Sequence, residues 1–107
     1  MDLKEVTVIE LQQLRENGED FQLIDVREQY EREICHINGE HIPLAEIPHC
    51  IDKISRHKKV IIHCRSGSRS GNTVKWLERN HDFENVYNLK GGILAWADQI
   101  DTSMSKY

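Results

Sequence analysis

The sequence predicts one α/β domain built on a mostly parallel sheet. Three observations carry that prediction. Short β-rich apolar runs alternate with helix-prone segments along the whole chain. One of those runs, Lys59-Val60-Ile61-Ile62-His63, is continuously apolar at its centre, as expected of a strand covered on both faces. The chain has 107 residues, enough for one hydrophobic core and too few for two ordinary domains.

Each element has its own signal. Glu10 to Glu16 places Leu11 and Leu14 three apart and is stopped by Asn17-Gly18, which predicts a helix. Phe21 to Val26 reads as a strand ending at Asp25-Val26-Arg27, and Glu28 to Glu33 as a short polar helix. Asn38-Gly39 is a turn signal, followed by a brief extended piece at His41-Ile42. Apolar residues at 44, 47, 51 and 54 give a helical spacing, interrupted by Pro48. After the central strand, Ser68 to Asn80 is a second good helix through Val74, Trp76 and Leu77. Asn85 to Leu89 is the next strand, and Gly91-Gly92 opens a helix through Ile93, Trp96 and Ala97. Strands joined through helices imply crossover connections and a parallel sheet. The domain is expected over residues 1–100, with 101–107 a polar, frayed tail. No repeat, linker or low-complexity tract is evident.

Composition narrows the function. Fourteen basic residues against 18 acidic give a formal net charge of -4, which argues against a mainly electrostatic nucleic-acid binder. The N-terminus has no signal-like apolar run, and no stretch approaches the roughly 20 apolar residues of a membrane helix. Three cysteines, Cys35, Cys50 and Cys64, cannot all pair within one chain, and none forms a C-x-x-C. The expectation is a cytoplasmic monomer with free thiols, bound to neither nucleic acid nor membrane. Cys35-His36 and His49-Cys50 resemble half-sites for zinc, but they pair unlike ligands and are read as ordinary thiols and imidazoles.

The chemistry concentrates at His63-Cys64-Arg65-Ser66-Gly67-Ser68-Arg69-Ser70. A buried strand ends at Cys64, a glycine-containing loop follows, and a helix starts about four residues later. Sites in open parallel sheets lie beyond the carboxyl ends of strands. Loop N–H groups form an anion-binding nest, the helix N-terminus adds partial positive charge, and Arg65 and Arg69 add two cations. All of these favour a thiolate, whose pKa in such surroundings falls from near 8.5 to about 3.5–7.5. Ser66, Gly67 and Ser68 are expected to bind through backbone N–H groups, and Ser70 to serve the start of the helix. His63 points to the face opposite Cys64 and is expected to be packed. Asp25 and Arg27 are expected to form a buried tie beneath the loop.

The segment Cys64 to Ser70 resembles the active-site loop of the rhodanese family. Leu23-Ile24-Asp25-Val26-Arg27-Glu28, the His36 to Leu44 region and Leu89-Lys90-Gly91-Gly92-Ile93-Leu94-Ala95-Trp96 are similar to that family in the same order. Together these stretches span most of the chain. The resemblance implies a rhodanese-like domain with a central five-stranded, mostly parallel sheet flanked by helices. It also implies a sulfurtransferase of the thiosulfate:cyanide type, with a persulfide intermediate on Cys64 and neither metal nor organic cofactor. In that reading Arg65, Ser66, Gly67, Ser68 and Arg69 bind the substrate. The partners are a small sulfur donor and a cyanide, thiol or sulfur-accepting protein.

The chain departs from the family where relatives tend to read Gly-His-Ile-Pro-Gly-Ala. Here Cys35-His36-Ile37-Asn38-Gly39-Glu40 stands instead, which puts the local backbone and any partner surface in doubt. Two rival functions use the same residues. A cysteine-dependent phosphatase or arsenate reductase also carries His-Cys, a loop glycine and Arg-Ser. Those phosphatases place five residues between cysteine and arginine, whereas four intervene here, Arg65 to Ser68. An inactive rhodanese-like binding or sensing module usually lacks the cysteine, and Cys64 is present.

Overall fold

The computed structural model describes residues 3–107; Met1 and Asp2, the first residues of the expected domain, lie outside it. Five strands form one sheet in the order β1-β5-β4-β2-β3: Glu5–Val6 (β1), Phe21–Asp25 (β2), Glu40–His41 (β3), Lys59–His63 (β4) and Val86–Leu89 (β5). Every pairing is parallel. Four helices complete the domain: Val8–Glu16 (α1), Gln29–Ile34 (α2), Ser68–His81 (α3) and Gly92–Gln99 (α4). No helix among the described residues is long and apolar enough to cross a membrane.

The two-residue period of β4 explains the two-sided core. Val60, Ile62 and Cys64 belong to one buried cluster with Ile24, Val74 and Leu77, the last two from α3. Ile61 belongs to the other, with Leu23, Val8 and Leu11 of α1, and Ile93 and Trp96 of α4. Burying the sheet on both faces is what a continuously apolar strand requires. Cys64 therefore continues one face of the sheet at the carboxyl end of its central strand.

Two sequence expectations meet differences, and one short strand comes in addition. Leu44 to Ile54 forms two short 3-10 turns, Leu44–His49 and Ile51–Lys53, in place of a longer helix. Pro48 sits inside the first and has no N–H with which to continue a helical ladder. Glu5–Val6 pairs with β5, a strand that two residues are too short to announce. The tail is not frayed at its end: the Tyr107 hydroxyl donates to Glu31 Oε2 (2.8 Å) and accepts from Arg27 Nη1 (2.9 Å). In the departing segment, Asn38 takes a left-handed backbone at φ 67°, which asparagine tolerates and the ring of proline forbids.

The other face of β4 buries charge. Arg27 and Asp25 are both fully buried, and Arg27 spends all five N–H groups. Nε and Nη2 donate to Asp25 Oδ1 (3.0 Å) and Oδ2 (2.9 Å), and Nη2 also reaches the Cys35 carbonyl (2.7 Å). Nη1 donates to the Glu31 carbonyl (3.3 Å) and the Tyr107 hydroxyl. Burial pushes Asp25 up, but its hydrogen bonds to Arg27 prevail and hold it below the usual carboxylate range. This is the expected Asp–Arg tie, and it also ties the end of α2 to β2.

His63 lies fully buried beside that pair, with Nδ1 3.4 Å from the Cys64 carbonyl and Nε2 3.8 Å from Asp25 Oδ2. Burial drives its pKa down to about 4, more than the nearby Asp25 raises it. The folded protein thus refuses a proton that the unfolded chain accepts below its ordinary value near 6.5. Stability is full above pH 6.5 and declines as pH falls toward 4. Denaturant unfolding at pH 7 and pH 5 should differ by about 2 kcal/mol on this account. In His63→Gln the difference should shrink by most of that amount; an unchanged difference would assign it to other groups.

Candidate active site

The loop after β4 is shaped from two sides. From α4, the N–H groups of Ile93 and Leu94 donate to the carbonyls of Cys64 (3.0 Å) and Arg65 (3.1 Å). That turns the carbonyls outward and leaves N–H groups for the interior. The approach is so close that a Cβ on Gly92 would sit 2.4 Å from the Arg65 carbonyl oxygen and 2.7 Å from that of Cys64. Gly92 also adopts φ +60°. From β5, buried Asn88 donates through Nδ2 to the Gly67 carbonyl (3.2 Å) and to Glu5 Oε2 (3.1 Å). Gly67 itself caps α3 at φ 102°, a conformation that favours glycine.

The Cys64 residue is 1% exposed, with its sulfur at the centre of this cradle. The Gly67 N–H points at Sγ from 3.1 Å, the Ser70 N–H from 3.4 Å and the Ser70 hydroxyl from 3.3 Å. Burial pushes the thiol up; the Ser70 hydroxyl and the N–H groups of Ser70, Gly67 and Ser66 outweigh it. The net shift is downward, toward a thiolate. Such a set of fixed dipoles suits one anionic sulfur and the second one that a persulfide would add.

The five expected substrate-binding residues are placed differently from one another. Ser66 and Gly67 turn N–H groups toward the sulfur. Ser68 opens α3 as its first residue. Arg65 lies over the Tyr107 ring, 5.2 Å from the centroid, and donates through Nε (2.6 Å) and Nη2 to the Tyr107 main-chain oxygen. Arg69 is closed on Glu31 of α2, Nη1 to Oε1 and Nη2 to Oε2, both at 2.8 Å. Cys35 packs in the cluster on the opposite face of the sheet from Cys64.

Four participants escaped the sequence reading. Ser70 is expected to serve the start of α3, and its hydroxyl also reaches the sulfur at 3.3 Å. Asn88 carried a readable signal, a polar residue inside the apolar run Val86-Tyr87-Asn88-Leu89. Glu31 and Tyr107 carried none, since charged helix residues and polar tails are ordinarily solvated.

The Ser70 hydroxyl has one proton and two acceptors, Cys64 Sγ and Asn88 Oδ1. Turning it to the sulfur favours the thiolate. Ser70→Ala should raise the Cys64 pKa and slow alkylation of Cys64 by iodoacetamide at neutral pH. A hydrogen bond to a charged group contributes about 1.5–3 kcal/mol, so the loss should be roughly tenfold or more. Peptide mapping separates Cys64 from Cys35 and Cys50. An unchanged rate would mean the hydroxyl stays committed to Asn88.

Residues 7–99 match the rhodanese-like domain family. The chain belongs to that family. This rhodanese-like domain is 36% identical over 97 residues to YtwF of Bacillus subtilis, covering 90% of this chain and 92% of that one. It is 33% identical over 96 residues to a sulfurtransferase of Allochromatium vinosum, covering 89% of each. In larger relatives the domain is one part: it spans 26% of MoeZ of Mycobacterium tuberculosis, at 30% identity. Its structure resembles the crystal structure of a rhodanese-like domain protein from Staphylococcus aureus, with a TM-score of 0.82, 27% identity and coverage of 98% and 99%. The rhodanese-like fold with its five parallel strands is therefore the one the sequence predicts.

Proposed function

We propose that the protein is a sulfurtransferase, moving sulfane sulfur from a donor such as thiosulfate to cyanide or a thiol through a persulfide on Cys64. The observation that carries this is the convergence of Gly67 N–H, Ser70 N–H and the Ser70 hydroxyl on one buried sulfur. The similarity to the Allochromatium vinosum sulfurtransferase supports it.

The Cys64 thiolate attacks the outer sulfur of thiosulfate; the new S–S bond forms as the donor's S–S bond breaks, and sulfite leaves with its electron pair. The outer persulfide sulfur then carries the negative charge, opposite the N–H groups of the loop and the N-terminus of α3. Cyanide attacks that sulfur, thiocyanate departs, and the Cys64 thiolate returns. Two half-reactions sharing one covalent intermediate predict ping-pong kinetics. Cys64 carries the sulfur, Ser66 and Gly67 hold it through N–H groups, and Ser68 fixes the turn into the helix. Arg65 and Arg69 bound the cradle. The reading includes no metal and no organic cofactor, and places the protein in the cytoplasm as a monomer. Residues 1–100 make up the working domain, and 101–107 form the segment that brings Tyr107 back to it.

Steady-state thiocyanate formation from thiosulfate and cyanide tests the proposal, with p-nitrophenyl phosphate hydrolysis measured in parallel. Wild type should give parallel double-reciprocal lines, and Cys64→Ser should lose turnover to background. Thiocyanate formation that survives in Cys64→Ser, or phosphate hydrolysis faster than sulfur transfer, would overturn it.

A further inference from the structure

Two arginines beside a thiolate suggest a site made for a dianion, yet the charges around Cys64 do not add up to one. Glu31 is 3% exposed, and both of its oxygens are taken. Arg69 holds them in a bidentate fork, the Tyr107 hydroxyl adds a bond to Oε2, and the Glu28 N–H adds one to Oε1 (3.1 Å). Its hydrogen bonds to Arg69 hold the carboxyl down at about 2, so it is ionised at any working pH. Arg65, the other cation, is engaged by the ring and main-chain oxygen of Tyr107. Of the two guanidinium groups beside the sulfur, one is matched by the Glu31 carboxylate and the other is held by Tyr107. The Arg69 fork that would recognise an oxyanion already grips one.

We propose that Glu31 is a specificity-determining residue that closes Arg69 to oxyanions and directs the site toward sulfane donors of low charge, monoanionic thiosulfonates and persulfides, over dianionic thiosulfate. The inference rests on the persulfide reading and names the substrate class for it. Glu31 touches neither the sulfur nor, on this geometry, the donor; it acts through Arg69. The chemistry is the same for both donors. The Cys64 thiolate takes the outer sulfur of a thiosulfonate as the donor's S–S bond breaks, and a sulfinate leaves with the electron pair in place of sulfite.

The test compares thiosulfate with benzenethiosulfonate, cyanide being the acceptor, in wild type, Glu31→Gln, Arg69→Gln and the double variant. The ratio of the two kcat/KM values cancels any general loss of structure and reads donor charge alone. In Glu31→Gln the ratio should move toward thiosulfate on the order of fivefold, through KM, because a dianion feels the freed cation twice as strongly as a monoanion. In Arg69→Gln it should move the other way, and the double variant should return close to the wild-type ratio. For wild type, thiosulfate kcat/KM should change little between low and physiological salt, whereas in Glu31→Gln it should fall with salt. A ratio that stays constant in all variants, or a steep salt dependence in wild type, would overturn the role of Glu31 while leaving sulfur transfer standing. Absence of thiocyanate from both donors in wild type would overturn the sulfurtransferase reading beneath it.

Discussion

Arg27→Ala should lose about 3–5 kcal/mol of unfolding free energy, the cost of stripping one partner from a buried ion pair. Asp25 would be left fully buried, its charge met by Arg32 Nη1 at 3.4 Å and the main-chain N–H of residue 27 at 3.0 Å in place of the Arg27 fork. The Cys35 carbonyl would lose its Arg27 donor, the Glu31 carbonyl would be left with the Cys35 N–H at 3.4 Å, and the Tyr107 hydroxyl with its bond to Glu31. Lysine does not substitute, because a single ammonium cannot serve five separate acceptor directions. Replacing both charges, as in Asp25→Asn with Arg27→Met, should recover part of the loss, since no bare carboxylate remains. Urea unfolding of the three proteins decides the matter. A loss below about 1 kcal/mol for Arg27→Ala would mean that water enters and solvates Asp25.

Gly92→Ala should cost catalysis more than stability. The new Cβ would lie 2.4 Å from the Arg65 carbonyl oxygen, 2.6 Å from its carbonyl carbon and 2.7 Å from the Cys64 carbonyl oxygen. All three are backbone atoms of the sulfur loop, so no side chain can swing aside. The loop must shift away from α4, which breaks the bonds from Ile93 and Leu94 that orient it. A displacement near 1 Å in a preorganised site costs on the order of a hundredfold in rate. The left-handed backbone adds strain of about 1–3 kcal/mol. Gly18→Ala is the control, because Gly18 shares a positive φ (+66°) but has nothing within 4 Å of its added Cβ. Its stability should fall by about 1 kcal/mol with sulfur transfer intact. Wild-type turnover in Gly92→Ala would show that α4 does not set the loop.

What the sequence discloses here follows burial. The run Val60-Ile61-Ile62 marks a two-sided strand because apolar residues there have no other use, and the cysteine-to-helix spacing follows from it. The apolar spacing at 44, 47, 51 and 54 is equally regular but misleads about the type of helix, because Pro48 leaves only short turns. β1 is invisible at two residues, its place fixed by β5 and not by its own pattern. In the site, Cys64 and the loop N–H groups are local in sequence and legible there. The state of the arginines is not local. Arg69 meets Glu31 across 38 positions and Arg65 meets Tyr107 across 42, so their charges look free until the chain is folded.

The persulfide itself is the most direct test. Wild-type protein is incubated with benzenethiosulfonate, freed of excess donor and weighed intact under non-reducing conditions, then digested and mapped. The account predicts a gain of one sulfur atom, located on the Cys64 peptide, removed by cyanide with release of thiocyanate and absent from Cys64→Ser. No mass gain on Cys64, or the same gain in Cys64→Ser, would contradict it.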